Sequence, residues 1–583
     1  MFKKKPAKQI ETLSRFLLIA LFFFAIYAHV FVDLRYFFVM QNNHSDQALH
    51  YRFASLWSHH ETSLFIWIVI LNLTTYVRKL PLPIEPFRRR ILSILNGLLC
   101  FYLMVESNPF SLSPGLDLNA PGLGQQGQGL NPLLYDLNMV WHPPLLYLGV
   151  TMLFTPYVLS LWYYKWGRDT IDENAIITMI QKRTKIAFGI LTLAIGLGSF
   201  WAFTQLGWGG FWFWDPVETA SLLPWIAALI VFHIPQKTLK NVIWISGVPF
   251  AFVMISFWAV RSGMLVSVHS FSEDAMAFLM LGVIALFVSL PLIGITLSRK
   301  NTTDDTHKDT NQKTTSNAPT SLKLGLNLFA LTLVFLTLGL FVPILFNFSL
   351  EPTFFNQALL PIWGAIAIGM ATFPYTQNRR PWCAIDLLAL LICIVFYKYL
   401  SLPFFLLSLA GFILLGRMLL LLPVKPHVAL AHIGVALGLI GLASYSDNPA
   451  EVTLMLERGK TKIHGNYVLD FRETTEQVQP FLTQLKFMIH MNRADVPDSI
   501  PLELTPSKQF FHTSERQRVK ASFGYWDKKI VMISNIEQVS NDTIAITLHE
   551  KQGLLWLVLG GAMIVIAVLA SSFMRSKNRH ERV

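Results

Sequence analysis

Four aromatic residues follow one another in the segment Trp208-Gly-Gly-Phe-Trp-Phe-Trp-Asp-Pro-Val-Glu218. Consecutive side chains point to different faces of a helix, so an amphipathic surface helix explains these residues poorly. The two glycines, Gly209 and Gly210, allow the backbone to approach a flat surface closely. The segment therefore predicts a site for a large, planar, apolar ligand. The alternative is an aromatic belt at a membrane interface, although the residues of such belts are usually dispersed.

The elements that position this segment are predicted to be membrane helices. Of the 583 residues, 53% are hydrophobic and 14% are charged, whereas soluble domains carry about 25% charged residues. The net charge of +12 comes from basic residues in short loops between apolar runs, so we predict no nucleic-acid binding. Cys100, Cys383 and Cys393 form no CxxC motif, so a partner must supply any redox-active thiol.

Apolar stretches of membrane-spanning length number about fourteen. The stretch from Leu13 to Val39 lacks a small-residue cleavage site, so it predicts a first transmembrane helix rather than a signal peptide. Lys and Arg concentrate in alternate loops, which predicts that both termini are cytoplasmic. Loops 106–141 and 205–218 lack basic residues and are predicted to lie on the outer face. The predicted fold is an all-α polytopic bundle with a small β-rich outer-face domain near the C-terminus.

The order of residues in the aromatic segment resembles that of a known family. Residues 207–218 resemble the WWD signature of the haem-handling family that includes CcmF, CcmC and the CcsA-type proteins. Further blocks are similar to those of CcmF-type members, at 57–63, 131–136, 142–149, 260–270 and 431–434. The resemblance also covers the outer domain, which the shorter CcmC lacks. It implies a role in cytochrome c maturation in the bacterial inner membrane.

This sequence departs from the family pattern at a few positions. The family usually has Trp where Phe211 stands, Gly where Ser58 and Thr62 stand, and an additional N-terminal helix. Phenylalanine keeps the stacking face of tryptophan but loses the indole N–H. The role of an aromatic platform is therefore retained at position 211, while a hydrogen bond from that side chain is lost.

The resemblance implies roles for particular residues of the segment and for two histidines that flank it. Haem-positioning roles fall to Trp208, Phe211, Trp212, Trp214 and Asp215, although Asp215 and Glu218 are equally suited to cap the following helix. His142 and His269 are both predicted to lie on the outer face, and neutral imidazole is a usual axial ligand of haem. An arbitrary histidine there more often bonds the backbone. By resemblance, the pair holds the haem b that is to be transferred.

A second pair of histidines is predicted to lie at matching depth near the cytoplasmic face. His233 ends the sixth predicted helix and His432 lies one turn into the thirteenth, and ionisable groups inside membrane helices usually serve a function. His427, at the boundary, is the competing candidate. The resemblance implies that His233 and His432 hold an integral b-type haem that takes electrons from quinol. Arg261 is predicted to clamp a haem propionate, or else to snorkel to the interface.

These implications predict a subunit of a cytochrome c haem lyase that has no catalytic nucleophile of its own and acts by positioning the haem beside CxxCH cysteines. The resemblance implies three partners: a haem chaperone resembling CcmE, a CcmH-like thiol partner and apocytochrome c. Two alternatives stay open. One is a membrane transporter or exporter of haem or a related cofactor. The other is an interaction scaffold whose outer domain recruits partners.

Composition divides the chain into six predicted regions. The segment 298–322 is polar and of low complexity, which predicts a flexible cytoplasmic linker, and 446–551 alternates like short strands. The predicted regions are N-terminal transmembrane helices (1–107), a WWD-type haem-handling core with transmembrane helices (108–297), the linker (298–322), transmembrane helices that include His432 (323–445), a periplasmic β-rich domain (446–551), and a final transmembrane helix with a basic cytoplasmic tail (552–583).

Overall fold

The computed structural model describes residues 4–77, 80–106, 108–114, 127–167, 172–205, 211–235, 239–265, 267, 275–303, 320–346, 348, 350–373, 380–397, 401–446, 451–495, 500–513, 515–526 and 529–573. The helices in these residues are α1 (Lys4–Val30), α2 (Phe37–Asn42), α3 (Leu49–Ala54), α4 (His60–Val77), α5 (Ile84–Val105), α6 (Asn138–Met152), α7 (Phe154–Trp162), α8 (Glu173–Gln205), α9 (Pro216–His233), α10 (Leu239–Ile245), α11 (Val248–Arg261), α12 (Ala275–Thr303), α13 (Thr320–Phe346), α14 (Pro352–Thr372), α15 (Arg380–Tyr397), α16 (Leu402–Leu421), α17 (Pro426–Ser446) and α18 (Leu554–Phe573). The strands are β1 (Glu451–Glu457), β2 (Thr461–His464), β3 (Tyr467–Val478), β4 (Leu482–Arg493), β5 (Leu502–Leu504), β6 (Ser507–Phe511), β7 (Arg516–Lys520), β8 (Ser522–Trp526), β9 (Lys529–Gln538) and β10 (Thr543–Lys551).

Ten helical segments within the described residues are long and apolar enough to cross a membrane. Two of them combine neighbouring helices, because α6 and α7 form one segment (Asn138–Trp166) and the end of α10 joins α11 (Val242–Arg261). Two shorter apolar helices, Phe278–Gly294 and Ala384–Val395, add to these. Helix α5, one of the predicted spans, begins with four charged residues in its first seven positions. The protein is therefore a multi-pass membrane protein, and the count of about fourteen spans stays a prediction.

The strands form two antiparallel sheets that share one apolar core. One sheet has the order β1-β10-β9-β8, and the other has the order β2-β3-β4-β6-β7 with β5 paired to β4. Buried residues alternate with exposed ones in the second half of β1 and with partly buried ones in the first half of β3, as expected for strands with one buried face. Phe471, Phe487 and Ile489 lie fully buried in this core. The predicted fold class, a helical membrane bundle with a β-rich domain near the C-terminus, is confirmed.

Helices α17 and α18 pack closely because glycines face each other across their contact. A methyl group at Gly434 would lie 2.5 Å from the carbonyl oxygen of Gly560, and one at Gly441 would lie 2.7 Å from that of Gly553. Small residues allow membrane helices to approach at backbone distance and gain dispersion contacts. Since α18 follows β10 directly, this contact also ties the β-rich domain to the helix that carries His432.

Helix extends into both ends of the predicted linker. Helix α12 continues to Thr303, and α13 begins at Thr320. The sequence locates such helix ends only to within several residues, because polar residues can continue a helix that projects beyond the bilayer. The middle of the predicted linker, 304–319, lies outside the described residues.

Candidate functional site

A cavity opens among the ends of five helices in the first half of the chain. It encloses about 1210 Å³ when its open mouth is included. Helices α4, α6 and α9 contribute residues near their N-terminal ends, and α8 and α11 contribute residues near their C-terminal ends. The lining includes Trp57, His59, His60, His142, Trp201, Val217, Pro224, Phe257 and Arg261. The cavity is mostly apolar with a few polar groups, as is usual for the site of a large organic ligand.

His142 reaches the cavity from the second turn of α6. Its Nδ1 lies 2.7 Å from the carbonyl oxygen of Ala194 on α8. A carbonyl oxygen only accepts, so Nδ1 carries the hydrogen and Nε2 carries the lone pair, which is the arrangement that second-shell bonding gives to a metal ligand. Gly198 provides the space for the ring, because a methyl group there would lie 2.7 Å from Cε1 of His142. Helix α8 therefore fixes both the tautomer and the position of this imidazole.

Arg261, the last residue of α11, is buried at the cavity wall and is 7% exposed. Its guanidinium donates to the carbonyl oxygen of His60 at 2.5 Å and to the Ser63 hydroxyl at 2.9 Å. These bonds satisfy carbonyl and hydroxyl groups in the first turn of α4 and connect that helix to the end of α11. The side chain is held inside the protein rather than extended to an interface, and its predicted contact with a haem propionate stays a prediction.

The aromatic segment is described from Phe211 onward, so Trp208 lies outside the described residues. Trp214 has a left-handed backbone with φ of 57° and a buried side chain. Its indole N–H donates to Oδ1 of Asn356 at 2.7 Å. Its ring stacks on that of Phe355 with centroids 5.4 Å apart, and the ring centroid of Trp363 lies 5.7 Å away. Trp214 therefore anchors the segment to α14. A bulky residue in this backbone region is unusual and is typical of functional loops.

Trp212 and Phe211 are only partly buried, and each has one well-defined contact. The ring of Trp212 meets that of Trp214 edge to face at 5.8 Å. The backbone N–H of Phe211 donates to the hydroxyl of Tyr445 at 2.7 Å, which links the segment to the end of α17. The cavity wall itself begins further along, where Val217 and Pro224 enter it from α9.

Asp215 caps helix α9 and also holds a second loop. Its carboxylate accepts from the backbone N–H of Val217 at 2.8 Å, and Glu218 accepts from the backbone N–H of Asp215 at 3.3 Å, which completes a capping box. The same carboxylate accepts from the hydroxyl of Ser267 at 2.8 Å. Asp215 thereby ties the aromatic segment to the loop after α11. His269 follows two residues later and lies outside the described residues.

His233 and His432 are brought together at the other end of α9. Their ring centroids are 6.5 Å apart and the ring planes are nearly perpendicular, at 89°. Nδ1 of His233 donates to the carbonyl of Leu229 at 2.9 Å, and Nδ1 of His432 donates to that of Val428 at 2.8 Å. Each ring is thus oriented by the preceding turn of its own helix, with the lone pair on Nε2. These residues are almost 200 positions apart in the chain, so only the arrangement of the helices in the bundle brings them together.

Two further histidines of the cavity carry no role in the sequence analysis. His59 and His60 both line the cavity, and Nδ1 of His59 lies 3.4 Å from the carboxylate of Glu61. The block 57–63, which resembles the family, already contained all three residues and was the available signal. Asn356 and Tyr445, which hold the aromatic segment, lie in apolar helices far along the chain, and no local pattern pointed to them.

Comparisons with known proteins cover both the cavity and the whole chain. The family described as "Cytochrome C assembly protein" matches residues 57–266. The chain is 25% identical to the cytochrome c-type biogenesis protein CcmF of Haemophilus influenzae, over 92% of this chain and 88% of the relative. It is 28% identical to the probable cytochrome c-type biogenesis protein NrfE of Escherichia coli (strain K12), over 98% of this chain and 96% of the relative.

A solved structure has the same fold. The structure titled "Cytochrome c Heme Lyase CcmF" superposes with a TM-score of 0.76 at 18% identity, over 96% of this chain and 90% of that chain. The helices that form the cavity lie within the matched family region, and the similarity to NrfE, over 98% of this chain, also includes the β-rich domain. This protein is therefore similar to the cytochrome c assembly protein family over residues 57–266 and to CcmF and NrfE over nearly its whole length.

Proposed function

We propose that this protein is the haem-handling subunit of a cytochrome c haem lyase in the bacterial inner membrane. The match of residues 57–266 to the cytochrome c assembly proteins and the similarity to CcmF support a part in cytochrome c biogenesis. The observation that carries the finer proposal is the meeting of His233 and His432, since two oriented imidazoles inside a membrane bundle are expensive unless they bind something. The cavity at the opposite end of α9 supplies a second, separate site.

His233 and His432 are the residues that would hold a b-type haem, because their ring centroids lie 6.5 Å apart and the Nδ1 atom of each ring is bonded to a carbonyl of its own helix. When bound there, a b-type haem supplies one-electron reduction of the haem that is to be transferred, with quinol as the proposed donor. The two histidines hold this group, and their backbone bonds keep both rings oriented.

The cavity receives the substrate haem. His142 and His269 are the proposed ligands, and Arg261 is the proposed propionate contact. Trp208, Phe211 and Trp212 are the proposed aromatic platform beside the cavity, which Trp214 anchors to α14. Each cysteine thiol of a CxxCH peptide adds across one vinyl group: sulfur bonds to one vinyl carbon, the thiol hydrogen goes to the other, and no electron is gained or lost. The chain contributes orientation, and holding two groups in reactive geometry lowers the barrier by about 7–11 kcal/mol.

The proposed topology has both termini in the cytoplasm and the β-rich domain, 446–551, in the periplasm, with the six predicted regions as its parts. One contact supports a common side for the outer loop and this domain: the hydroxyl of Thr513 donates to the carbonyl of Gln128 at 2.7 Å. The proposed partners, a CcmE-like chaperone, a CcmH-like thiol protein and apocytochrome c, would meet the cavity from that side.

Spectra of the purified full-length protein test the membrane site. We expect a b-type signal in the reduced-minus-oxidised spectrum that His233→Ala and His432→Ala each abolish at unchanged protein yield. His427→Ala is the matched control, because His427 lies on the same helix as His432 and is expected to leave the signal intact. Persistence of the signal in both site variants contradicts the membrane site.

Maturation of a c-type cytochrome in cells tests the outer site separately. We expect His142→Ala to lose covalent haem attachment while the b-type signal of the purified variant is retained. Normal maturation by His142→Ala contradicts the outer site. A protein that instead moves haem across vesicle membranes without attaching it supports the transporter alternative.

A further inference from the structure

Arg518, on strand β7, is a buried cation at the contact between the β-rich domain and the membrane helices. It is 7% exposed, and its guanidinium donates to four acceptors. These are the carbonyl oxygens of Pro132 at 2.5 Å and Tyr135 at 2.8 Å, Oε1 of Gln205 at 2.8 Å, and Oε1 of Gln509 at 2.7 Å. Three of the four acceptors belong to the membrane part of the protein.

These acceptors lead directly to the start of α6. Gln205, the last residue of α8, uses its amide nitrogen to donate to Oδ2 of Asp136 at 2.8 Å. The other carboxylate oxygen of Asp136 accepts from the backbone N–H of Asn138 at 2.9 Å, which satisfies a donor at the first residue of α6. His142 lies four residues later, about one helical turn. Arg518, Gln205 and Asp136 thus form one chain of hydrogen bonds that ends at the helix of the candidate ligand.

The same loop is tied to the cavity wall. The indole N–H of Trp201, which lines the cavity, donates to the carbonyl of Leu133 at 3.0 Å. On the opposite side Tyr135 packs among rings of the β-rich domain, with centroids 5.5 Å from Phe481 and 5.9 Å from Phe511. The loop 131–136 therefore lies between the β-rich domain and the cavity.

The buried positive charge of Arg518 restricts where its hydrogen-bond acceptors can lie. Burial lowers the pKa of Arg518 to about 10, and the facing carboxylate of Asp136 acts in the opposite direction. A buried cation is costly unless all its donors are used, so the position of its acceptors is strongly determined. A planar guanidinium holds several acceptors at fixed angles, which a lysine ammonium does not. The exposed neighbour Arg516, two residues earlier on β7, has no such surroundings among the described residues.

We propose that Arg518 is a positioning residue through which the β-rich domain sets the first turns of α6, and hence His142, for haem binding. The inference rests on the proposed function, because it takes His142 as a haem ligand. Arg518 itself touches neither haem nor thiol. Its effect reaches the cavity through loop 131–136 and Gln205. The β-rich domain is therefore part of the haem site as well as a surface for partners.

Haemin titration of the full-length protein carrying His432→Ala tests this role, because that background leaves the cavity as the remaining proposed site. We expect Arg518→Gln to bind haemin about tenfold more weakly, in line with the loss of supporting bonds around metal ligands, and Arg518→Lys to be intermediate. Hydrogen exchange in 131–142, measured without haemin, is expected to be faster in Arg518→Gln. Arg516→Gln is the matched control, with unchanged affinity and exchange.

In the chain without His432→Ala, the Arg518→Gln variant must keep the b-type signal, because that signal shows that the helical bundle is folded. If that variant does not fold, Gln205→Ala replaces it, since it cuts the link to Asp136 and leaves the bonds of Arg518 to the loop carbonyls in place. Unchanged haemin affinity in whichever of the two is folded overturns the inference. If His142→Ala also binds haemin normally in the same background, the proposed function fails as well.

Discussion

The two histidine sites lie at opposite ends of α9 and are held in different ways. Val217 lines the cavity near the start of the helix and His233 ends it, so the sites are about 24 Å apart along the helix axis. His233 and His432 are each oriented by a carbonyl of their own helix, four residues earlier. His142 is oriented by another helix, and its loop is held by the β-rich domain.

This difference follows the demands of the two proposed roles. A resident cofactor needs ligands that stay in place, and helix packing inside a membrane provides them without loops. A haem that arrives and leaves needs a site that can open, and loops with their contacts are the parts of a protein that open at the lowest cost in free energy. The membrane pair should therefore respond to changes in helix packing, while the outer site should respond to changes in loops and in the β-rich domain.

The largest effect on the membrane pair is expected from Gly434→Ala. The added methyl group would lie 2.5 Å from the carbonyl oxygen of Gly560. Backbone cannot yield as a side chain can, so α17 must move away from α18 and carry His432 with it, at a cost of about 1–3 kcal/mol or more. We expect most of the b-type signal to be lost, as measured by the reduced-minus-oxidised spectrum.

Gly438→Ala is the matched control on the same helix, because a methyl group there meets nothing within 4 Å. Equal loss of signal in both variants would mean that helix propensity or expression, rather than the distance between α17 and α18, governs the site. Retention of the full signal in Gly434→Ala would break the comparison, because it would show that the membrane pair does not depend on this contact.

The second largest effect is expected from Gly198→Ala, and only at the outer site. A methyl group there would lie 2.7 Å from Cε1 of His142, so the ring must turn and give up its bond to the Ala194 carbonyl. We expect haemin to bind about tenfold more weakly in the His432→Ala background. Without that background substitution, the b-type signal should be unchanged.

Gly196→Ala, two residues earlier on α8, provides the control, since a methyl group at that position meets nothing within 4 Å. Weakened haemin binding in Gly196→Ala would assign the effect to α8 as a whole. Normal haemin binding by Gly198→Ala would show that His142, in its observed position, is not a ligand at the proposed site.

The sequence was sufficient for the fold class and predicted several residues of each candidate site, and the reasons differ by residue. Apolar length identified most membrane spans, because the bilayer core has a fixed thickness. The matched depth of His233 and His432 followed from counting residues from the helix ends. Their actual meeting depends on where α9 and α17 lie in the bundle, which no local pattern encodes.

Other contacts lay beyond sequence reasoning for the same physical cause. In the sequence, Arg518 resembles the other basic residues of an alternating strand. Its burial arises only when the β-rich domain contacts loop 131–136. Trp214 was predicted to face haem, while its observed bond to Asn356 joins residues 142 positions apart. Asp215 is the opposite case, since its capping role depends on the next three residues and was predictable.

A smaller effect is expected from Asn356→Leu, which removes the partner of the Trp214 indole N–H. A donor left without its acceptor costs about 1–3 kcal/mol when buried, and the strained backbone at Trp214 loses a bond that holds it. We expect a lower thermal midpoint for the detergent-purified protein and a weaker outer site. Gln357→Leu, at an exposed neighbouring position, is the control with an unchanged midpoint.

The smallest effect is expected from lowering the pH, and it should appear in the β-rich domain. His549 on β10 is 1% exposed, and its Nε2 lies 2.6 Å from the hydroxyl oxygen of Ser534. Burial lowers its pKa below the ordinary value of 6.5; Glu451 acts in the opposite direction and Lys551 in the same one. The unfolded chain therefore binds more protons between the two values, so stability is complete above pH 6.5 and falls as the pH drops toward the folded pKa.

Hydrogen exchange in β9 and β10, corrected for its intrinsic pH dependence, measures this effect. We expect less protection below pH 6.5 in the unmodified protein and a flatter profile in His549→Gln. The b-type signal should not change over the same range, because the membrane pair is held by its own helices. Joint loss of protection and of the b-type signal would show that the β-rich domain supports both sites, through α18 and its glycine contact with α17, rather than the outer site alone.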